Sequence, residues 1–370
     1  MSATPRMGLK QDDGRRRQST PDWLLQGNRS WRQPWSRGGR HPRIVALGGG
    51  TGLPILLRGL KAALFPPPWT WVPERDRECL TAVVTVADDG GSSGRLRRAY
   101  SVPPPGDIRN CLLALSDGDP TMAAIFNFRF EGIGEIAGHS LGNLILTALS
   151  QLADEGFLGA LKQGSELLRI QGRVLPTTLE PVTLRATFTD GSEAEGESRI
   201  ALARRLIHRL VLQPEGAAIL PEAREAIEGA DLVVIGPGSL YTSLIAPLLL
   251  EDLVEAISRS RARVMLVMNL MTEPGETDGY TGVDHALAIC RHAPGVLIDD
   301  VLINTAPIPL HLIESQAAQG ASPVPSDAEL LRALGCRLVE RDLLAAGPMI
   351  RHDPDKLARA VLELHAETWT

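Results

Sequence analysis

The feature that most constrains the fold is a buried-strand pattern that runs directly into a glycine loop and then a helix. Ile44-Val45-Ala46-Leu47 is continuously apolar, Gly48–Gly52 follows it, and a helical pattern continues through Leu64. Pro54 suits the first helical turn, and Thr51 is a candidate N-cap. A strand that is apolar on both faces belongs to a parallel sheet covered by helices. The order strand, glycine loop, helix therefore predicts an α/β fold.

Further segments repeat this pattern, with helical stretches between them. The whole predicts a Rossmann-like parallel sheet with helices on both faces. The strand patterns and the loops that follow them are Leu80–Val86 before 87–94, Asp231–Ile235 before 236–243, and Val264–Met268 before 269–272.

The alternation of buried strands and helices gives way to a different sequence pattern between about residues 161 and 209. Val182–Phe188 alternates in polarity, Asp190-Gly191 is a turn signal, and a polar return strand follows. Alternation of this kind is typical of a half-buried antiparallel strand. We therefore expect an insertion at about 161–209, built as a β-hairpin and helical subdomain.

The N-terminal segment differs in charge from the rest of the chain. Residues 1–43 carry a formal charge of +7, which leaves −13 for the remainder of a chain whose net charge is −6. With Arg15–Arg17, three tryptophans and few aliphatic residues, residues 1–42 are predicted to be a disordered tail before a domain at 43–370. The tail could instead contact a polyanion or a membrane surface. The acidic body argues against nucleic acid as the main partner.

The cysteines and the hydropathy exclude several protein classes. Cys79, Cys111, Cys290 and Cys336 are scattered without a C-x-x-C pair, which favours neither a zinc ribbon nor a disulfide scaffold. No apolar run reaches the roughly 18 residues of a membrane span, and the N-terminus lacks the apolar core of a signal peptide. We therefore expect a cytoplasmic protein without a membrane span.

The loops after the predicted strands are the candidate binding site. Ligands of open parallel sheets sit at the carboxyl ends of the strands, and backbone N–H groups at a helix start attract phosphate. Gly48–Gly52 is neither a Walker A loop nor G-x-G-x-x-G, because Leu53 occupies the last glycine position. The alternative is a tight turn without a ligand.

The loop after the second strand carries two adjacent carboxylates. Asp88 and Asp89 could hold ribose hydroxyls or Mg²⁺, and we select Asp89 as the candidate metal ligand. Ser92 and Ser93 add hydroxyl donors for phosphate. An N-capping turn is the structural alternative. Mg²⁺ is the only cofactor that these residues indicate.

Two further loops supply polar side chains. Asp107 is predicted to cap a helix that places Arg109 and Asn110 in its first turn, where the arginine could bind phosphate or form a structural ion pair. His139 lies between Gly138 and Gly142 at another predicted helix start, and Asn143 follows Gly142 directly. There is no G-x-S-x-G motif of a hydrolase, so His139 is either structural or part of the cleft.

From these residues alone, we predict a phosphorylated, nucleotide-like ligand on an α/β sheet. Together with Arg351, which enters only through the family resemblance below, the candidate ligand-binding residues are Gly49, Gly50, Thr51, Gly52, Asp88, Asp89, Ser92, Ser93, Asp107, Arg109, Asn110, His139, Asn143, Gly238, Ser239, Tyr241 and Arg351.

Taken together and in order, the loop motifs resemble those of the gluconeogenesis factor family, within the 2-phospho-L-lactate transferase-like superfamily. The resemblance runs from about Arg43 to the C-terminus. The motifs that carry it are Gly48–Gly52, 88–94, 105–110, 138–143, 236–243, 271–280 and Arg351-His352-Asp353.

The resemblance implies a Rossmann-like fold that binds UDP-sugars such as UDP-N-acetylglucosamine and supports cell shape and wall synthesis during gluconeogenic growth. It implies that the first glycine loop and Ser239 lie near the diphosphate, Asp88 and Asp89 near the ligand or a metal, and Arg351 near the nucleotide. Gln316 stands where relatives often have tyrosine, and Pro354 where several have threonine.

Three functions follow as hypotheses. The first is a UDP-sugar-binding regulator, a homo-oligomer with a protein partner in wall synthesis. The second is an Mg²⁺-dependent enzyme that transfers a phospholactate-type group to a deazaflavin. The third is a scaffold for another protein.

Overall fold

A seven-stranded parallel sheet forms the centre of the molecule. The structure, a computed structural model, describes residues 41–66 and 77–368. The seven strands are β1 Ile44–Gly48, β2 Leu80–Val84, β3 Arg173–Pro176, β7 Leu232–Ile235, β8 Arg263–Val267, β9 Asp300–Asn304 and β10 Arg337–Arg341. They stand in the order β10-β9-β8-β7-β1-β2-β3, and every neighbouring pair is parallel.

Helices connect these strands, which confirms the predicted α/β class. The first helix shows the expected periodicity, because Leu53, Leu56, Leu57, Leu60 and Leu64 are all buried. The helices are α1 Leu53–Leu64, α2 Gly91–Tyr100, α3 Pro105–Leu115, α4 Pro120–Asn127, α5 Leu141–Leu152, α6 Gly156–Leu168, α7 Glu197–Ala203, α8 Pro221–Glu228, the π-helix Leu240–Ile245 with α9 Ala246–Leu248, α10 Glu251–Arg259, α11 Gly282–His292, α12 Leu310–Ala317, α13 Ala328–Ala333 and α14 Pro354–Thr368.

Two predicted helix caps differ from the structure. Gly52 rather than Thr51 is the N-cap residue of α1, and Pro104 rather than Asp107 precedes α3. Neither cap forms a side-chain hydrogen bond. Asp107 lies within the first turn of α3 instead of before it, so its carboxylate is available to another partner.

The strand order contains one switch point, between β1 and β7. The chain proceeds from β1 through β2 to β3 on one side, and from β7 through β8 and β9 to β10 on the other. Leu47 is in register with both Val83 and Ile235, so these strands end at the same level. Ligands of doubly wound sheets bind at this crevice.

The insertion is a separate three-stranded antiparallel sheet in the order β5-β4-β6. Its strands are β4 Thr183–Phe188, β5 Glu193–Glu195 and β6 Ile207–Gln213, and the Asp190-Gly191 turn joins the first two. The predicted hairpin is therefore present, with β6 as a third strand. The sheet occupies 183–213, because α6 and β3 in the first part of the predicted segment belong to the main body.

The predicted tail, residues 1–42, lies outside the described residues except for His41 and Pro42. Within residues 41–66 and 77–368, no helix has the length and apolar character needed to cross a membrane.

We expect Gly59→Ala to lower the free energy of unfolding by about 2 kcal/mol, as measured by urea denaturation. Alanine normally stabilises a helix interior relative to glycine. Here a Cβ would overlap the Pro354 carbonyl and approach Ala358 Cβ to 2.9 Å, where α1 meets α14. The matched control is Gly164→Ala, whose nearest neighbour is the flexible end of Leu146 at 3.0 Å. Equal effects of the two substitutions would contradict this packing.

Candidate functional site

The glycine loops after β1 and β7 interlock at the switch point. A Cβ at Gly52 would overlap the carbonyl of Pro237 and lie 3.0 Å from the Gly238 nitrogen. A Cβ at Gly49 would lie 2.6 Å from Thr85 Cγ2, so only glycine fits at both positions. The structure therefore brings together two of the predicted binding loops, those after β1 and β7.

The side chain of Asn269, in the loop after β8, holds the β7 loop in place. Its Nδ2 donates to the Gly238 carbonyl at 2.8 Å, and its Oδ1 accepts from the Gly238 N–H at 3.4 Å. Ser239 follows directly as the N-cap residue of the π-helix. Gly238 and Ser239 thus lie between the loops of β1 and β8.

The structure places Tyr241 in the core, although sequence reasoning grouped it with the binding loop. Its side chain is fully buried, and its hydroxyl lies 2.8 Å from that of Tyr280. The N–H groups of Tyr241 and Thr242 donate to Glu276 Oε1 at 2.9 and 3.0 Å. Burial, with Glu273 adjacent, raises the pKa of Glu276. A side-chain oxygen of the protein therefore already accepts hydrogen bonds from the N–H groups at this helix start, and ligand contact by Tyr241 stays a prediction.

Asp107 connects the β1 loop to the acidic loop after β2. Its Oδ2 accepts from the Gly50 N–H at 2.6 Å. Burial, with a smaller contribution from Asp88, raises the pKa of Asp107 to about 6. Burial likewise raises the pKa of Asp88, whose Oδ1 accepts from the Gly90 N–H at 2.7 Å and which also bonds Ser93. Desolvated carboxyls at a strand-end crevice are typical of functional sites.

Asp89 points instead to the insertion. Its Oδ1 accepts from the Ser198 N–H at 2.9 Å, at the start of α7, and its other oxygen packs against Gly196. The guanidinium of Arg97 adds a second link, donating to Thr183 Oγ1 at 3.1 Å. The loop after β2 and the helix α2 that follows it thereby anchor the insertion beside the cleft.

Glu197 is a site residue that sequence reasoning missed. It extends from the start of α7 and hydrogen-bonds the Thr242 side chain. Burial, together with Asp88, Asp107 and Asp89, raises its pKa well above the usual range. Glu197 lies in a polar surface-like segment, and no local motif distinguishes it; only the tertiary fold brings it to the cleft.

The oxygen-rich cluster fits a hard cation, but not as a complete protein cage. No three His, Cys, Asp or Glu side chains of the described residues are arranged to hold a metal ion. Mg²⁺ commonly takes one or two carboxylates and fills its shell with water and ligand phosphate. Asp88 and Asp107 offer such carboxylates. Both Asp89 oxygens already have neighbours in the insertion, so the metal role of Asp89 stays a prediction.

Five of the predicted residues form one hydrogen-bonded network. Arg109 donates to Asn143 Oδ1 at 2.9 Å and to Asn110 Oδ1 at 2.7 Å, and Asn143 Nδ2 donates to Ser92 Oγ at 3.1 Å. Ser92 Oγ lies 2.9 Å from His139 Nδ1. The donor and acceptor roles in the contact between Ser92 and His139 depend on the tautomer of the imidazole. The network therefore runs from Arg109 through Asn143 and Ser92 to His139.

The surroundings set the charges in this network. Burial lowers the pKa of Arg109 to about 10, so it remains protonated at neutral pH. Burial, with Arg95 and Arg129 nearby, lowers the pKa of His139 and keeps its imidazole neutral. Arg109 Nε is buried without a hydrogen-bond partner among the described residues.

We expect Asn143→Ala to cost about 2–4 kcal/mol of unfolding free energy, because it leaves a buried arginine without one of its acceptors. Asn110→Ala is the matched control, since Asn110 is only half-buried and water can replace it; its cost should stay below about 1 kcal/mol. Urea denaturation of both variants measures the difference. Equal losses would show that the network does not depend on the Asn143 amide.

Arg351 is exposed near the ends of β8 and β9. Its neighbour His352 is buried and donates to the Met268 carbonyl, and burial lowers the pKa of His352 to about 4. A cavity of about 220 Å³ opens beside these strand ends. Its walls are mostly apolar, including Leu270, Ile308 and Ile313, and its polar groups are Asn269 and Asn304.

Comparison with known proteins places the chain among relatives of one family. The family model of the 2-phospho-L-lactate transferase CofD matches residues 44–344. The chain is 43% identical to the gluconeogenesis factor of Listeria innocua, covering 87% of this chain and 95% of that protein. It is 41% identical to the gluconeogenesis factor of Bacillus subtilis, covering 89% of this chain and all of that protein.

A solved structure confirms the fold. A crystal structure of a UPF0052 family protein from Bacillus halodurans superposes with a TM-score of 0.79 at 42% identity, covering 86% of this chain and 99% of that chain. The resemblance inferred from the loop motifs is thereby confirmed. This chain belongs to the family of the 2-phospho-L-lactate transferase CofD, among its members named gluconeogenesis factor.

Proposed function

We propose that this chain binds a nucleoside diphosphate sugar, of the UDP-N-acetylglucosamine type, across the switch point of its sheet. The observation that carries the proposal is the interlock of Gly52 with Pro237, which places two glycine loops side by side at the crevice. Glycine loops with free backbone approach are suited to a diphosphate.

The neighbouring features follow the order of the parts of such a ligand. The apolar cavity at β8 and β9 would take the base, the loops of β7 and β1 the diphosphate, and the groups near β2 the sugar. These positions span about three strand spacings, roughly 14 Å, which suits an extended nucleoside diphosphate sugar. Asn269 and Asn304 offer donors and acceptors to a base, and Asp88 and Glu197 offer acceptors to sugar hydroxyls.

The biological role that we propose comes from the relatives named gluconeogenesis factor. The chain would act in the cytoplasm as a homo-oligomeric regulator that couples carbon supply to cell shape and wall synthesis through a protein partner. Binding of the ligand would then be the signal that the protein partner detects. The insertion would form part of the surface that changes when the ligand binds.

The second candidate function is an Mg²⁺-dependent transferase that acts on a deazaflavin. The family name and the raised pKa of Asp107, about 6, favour it, since such a carboxyl can exchange protons near neutral pH; burial also raises the pKa of Glu197. When bound, Mg²⁺ would neutralise phosphate charge. Asp107 and Glu197 would hold or release the proton of an acceptor alcohol.

Calorimetric titration with UDP-N-acetylglucosamine, with and without Mg²⁺, tests the first function. We expect saturable one-to-one binding, with UDP weaker and N-acetylglucosamine alone undetectable. Incubation with a deazaflavin alcohol and an activated phospholactate donor tests the second function by mass spectrometry. Absence of nucleotide-sugar binding would end the first proposal, and a new deazaflavin product would establish the second.

A further inference from the structure

A second cavity, of about 640 Å³, lies outside the cleft described above. It is bounded by β6, by the loop at 214–217, by the junction of α9 and α10, and by the end of α11 with the residues after it. Its volume is within the range of small-molecule sites. The loops of the switch point contribute no residue to it.

Basic side chains converge on this cavity. Arg209, Arg291 and His208 line it. Burial lowers the pKa of His292, and the nearby charges of these three side chains lower it further. In the part of the chain that the structure describes, the guanidinium groups of Arg209 and Arg291 form no ion pair. Arg291 Nε donates to the Leu287 carbonyl at 3.3 Å. Two unpaired arginines at a concave surface are suited to a phosphate or carboxylate.

The remaining lining limits the ligand further. Glu215 and Glu251 also line the cavity, and Leu248, Leu250 and Val254 contribute an apolar wall. Carboxylates accept hydrogen bonds from hydroxyl groups, whereas they repel a ligand that is anionic throughout. A sugar phosphate suits both the arginines and the carboxylates of the cavity, because its phosphate can pair with the arginines and its hydroxyls can donate to the carboxylates.

His292 connects this cavity to the switch point. Its Nε2 accepts from the Leu210 N–H of β6 at 3.1 Å, and its Nδ1 donates to the Ala288 carbonyl at 2.8 Å. Its ring packs edge-on against Tyr241, with centroids 5.6 Å apart, and the Tyr241 hydroxyl donates to the Ile207 carbonyl at 3.3 Å. Tyr241 stands two residues after Ser239, so a shift of β6 would reach the β7 loop.

We propose that this cavity is a regulatory site for a sugar phosphate, and that its occupancy changes the affinity of the switch-point cleft through His292 and Tyr241. Coupling between two such sites is reciprocal and typically changes affinity 5- to 150-fold. The site is separate from the nucleotide-sugar cleft, so its binding step does not depend on the function proposed above.

Calorimetry with glucose 6-phosphate tests the binding step, with glucose and inorganic phosphate as comparison probes. We expect one site per chain, at least about tenfold tighter for glucose 6-phosphate than for either comparison probe. The Arg209→Gln, Arg291→Gln double variant should lose at least about tenfold in affinity. Arg261→Gln, a matched change at an exposed arginine outside the cavity, should bind as the wild type does.

Three outcomes would overturn the site: no binding of glucose 6-phosphate, equal binding by the double variant and the wild type, or equal binding of inorganic phosphate. Circular dichroism and melting temperatures of all variants check that they fold.

The coupling step is measured separately, as the affinity for UDP-N-acetylglucosamine with and without saturating glucose 6-phosphate. We expect a change of at least about fivefold in the wild type and a smaller one in Tyr241→Phe, which lacks the hydroxyl contact to β6. An unchanged affinity would reject regulation. If UDP-N-acetylglucosamine itself does not bind, the proposed function fails, while glucose 6-phosphate binding still decides the cavity.

Discussion

Gly52→Ala is expected to weaken binding of UDP-N-acetylglucosamine by at least about 100-fold, or roughly 2.7 kcal/mol. The new Cβ would overlap the backbone carbonyl of Pro237, which cannot move aside as a flexible side chain can. The loops of β1 and β7 would have to separate, and the diphosphate would lose one side of its site. Calorimetric titration measures the loss, and we expect a smaller effect on folding, about 1–3 kcal/mol.

Gly229→Ala is the control for this prediction. Gly229 follows α8, and a Cβ there would lie 3.3 Å from the flexible end of Arg43 and 3.3 Å from the Glu225 carbonyl oxygen, without the overlap that occurs at Gly52. Its affinity should remain within about twofold of the wild type. Wild-type affinity in Gly52→Ala would show that the interlocked loops do not form the diphosphate site.

Asp107→Asn is expected to stabilise the protein at neutral pH and to change the pH dependence of its stability. The asparagine can still accept the Gly50 N–H, but it carries no charge. In the unfolded chain Asp107 titrates near 3.8, and in the folded protein at about 6. Between these values, the folded protein holds a proton that the unfolded chain has lost.

The sign follows from linkage. The ionised Asp107 opposes folding increasingly as the pH rises from about 4 to about 6.5, and not at all below about 4. After allowance for solvent screening of this half-buried group, Asp107→Asn should gain about 1–2 kcal/mol over the wild type at pH 7.5, and almost nothing at pH 4.

Urea denaturation of both proteins across this pH range measures the difference in unfolding free energy, in which the contributions of titrating groups remote from Asp107 cancel. Asp154→Asn, at an exposed carboxylate, should follow the wild type at every pH. A constant difference between Asp107→Asn and the wild type would contradict the raised pKa of Asp107.

The local parts of the fold were predictable because strands and glycine loops have local signatures. The strand at Ile44–Gly48, its loop and α1 follow from apolar runs and helical periodicity. The neighbouring positions of β1 and β7, nearly 190 residues apart, do not follow from any local pattern. Strand order depends on long-range packing, which a single sequence does not display.

The candidate site divides in the same way. Asp88 and Asp107 could be selected because each follows a strand or begins a helix in a glycine-rich context. Glu197 and Asn269 could not be selected from the sequence. Glu197 lies in an ordinary polar segment, and Asn269 is a single polar residue at a strand end without a motif around it. Tyr241 shows a different limit, because the sequence does not indicate that a residue two positions after Ser239 is buried in a helix; its contact with a ligand stays a prediction.

The most direct test of a single cleft at the switch point is a crystal structure of the complex with UDP-N-acetylglucosamine. The result expected is a diphosphate between 49–52 and 238–239, with the uracil in the cavity at β8 and β9 and the sugar beside Asp88 and Glu197. A diphosphate bound away from both glycine loops, whether in the cavity of Arg209 and Arg291 or elsewhere, would contradict the account.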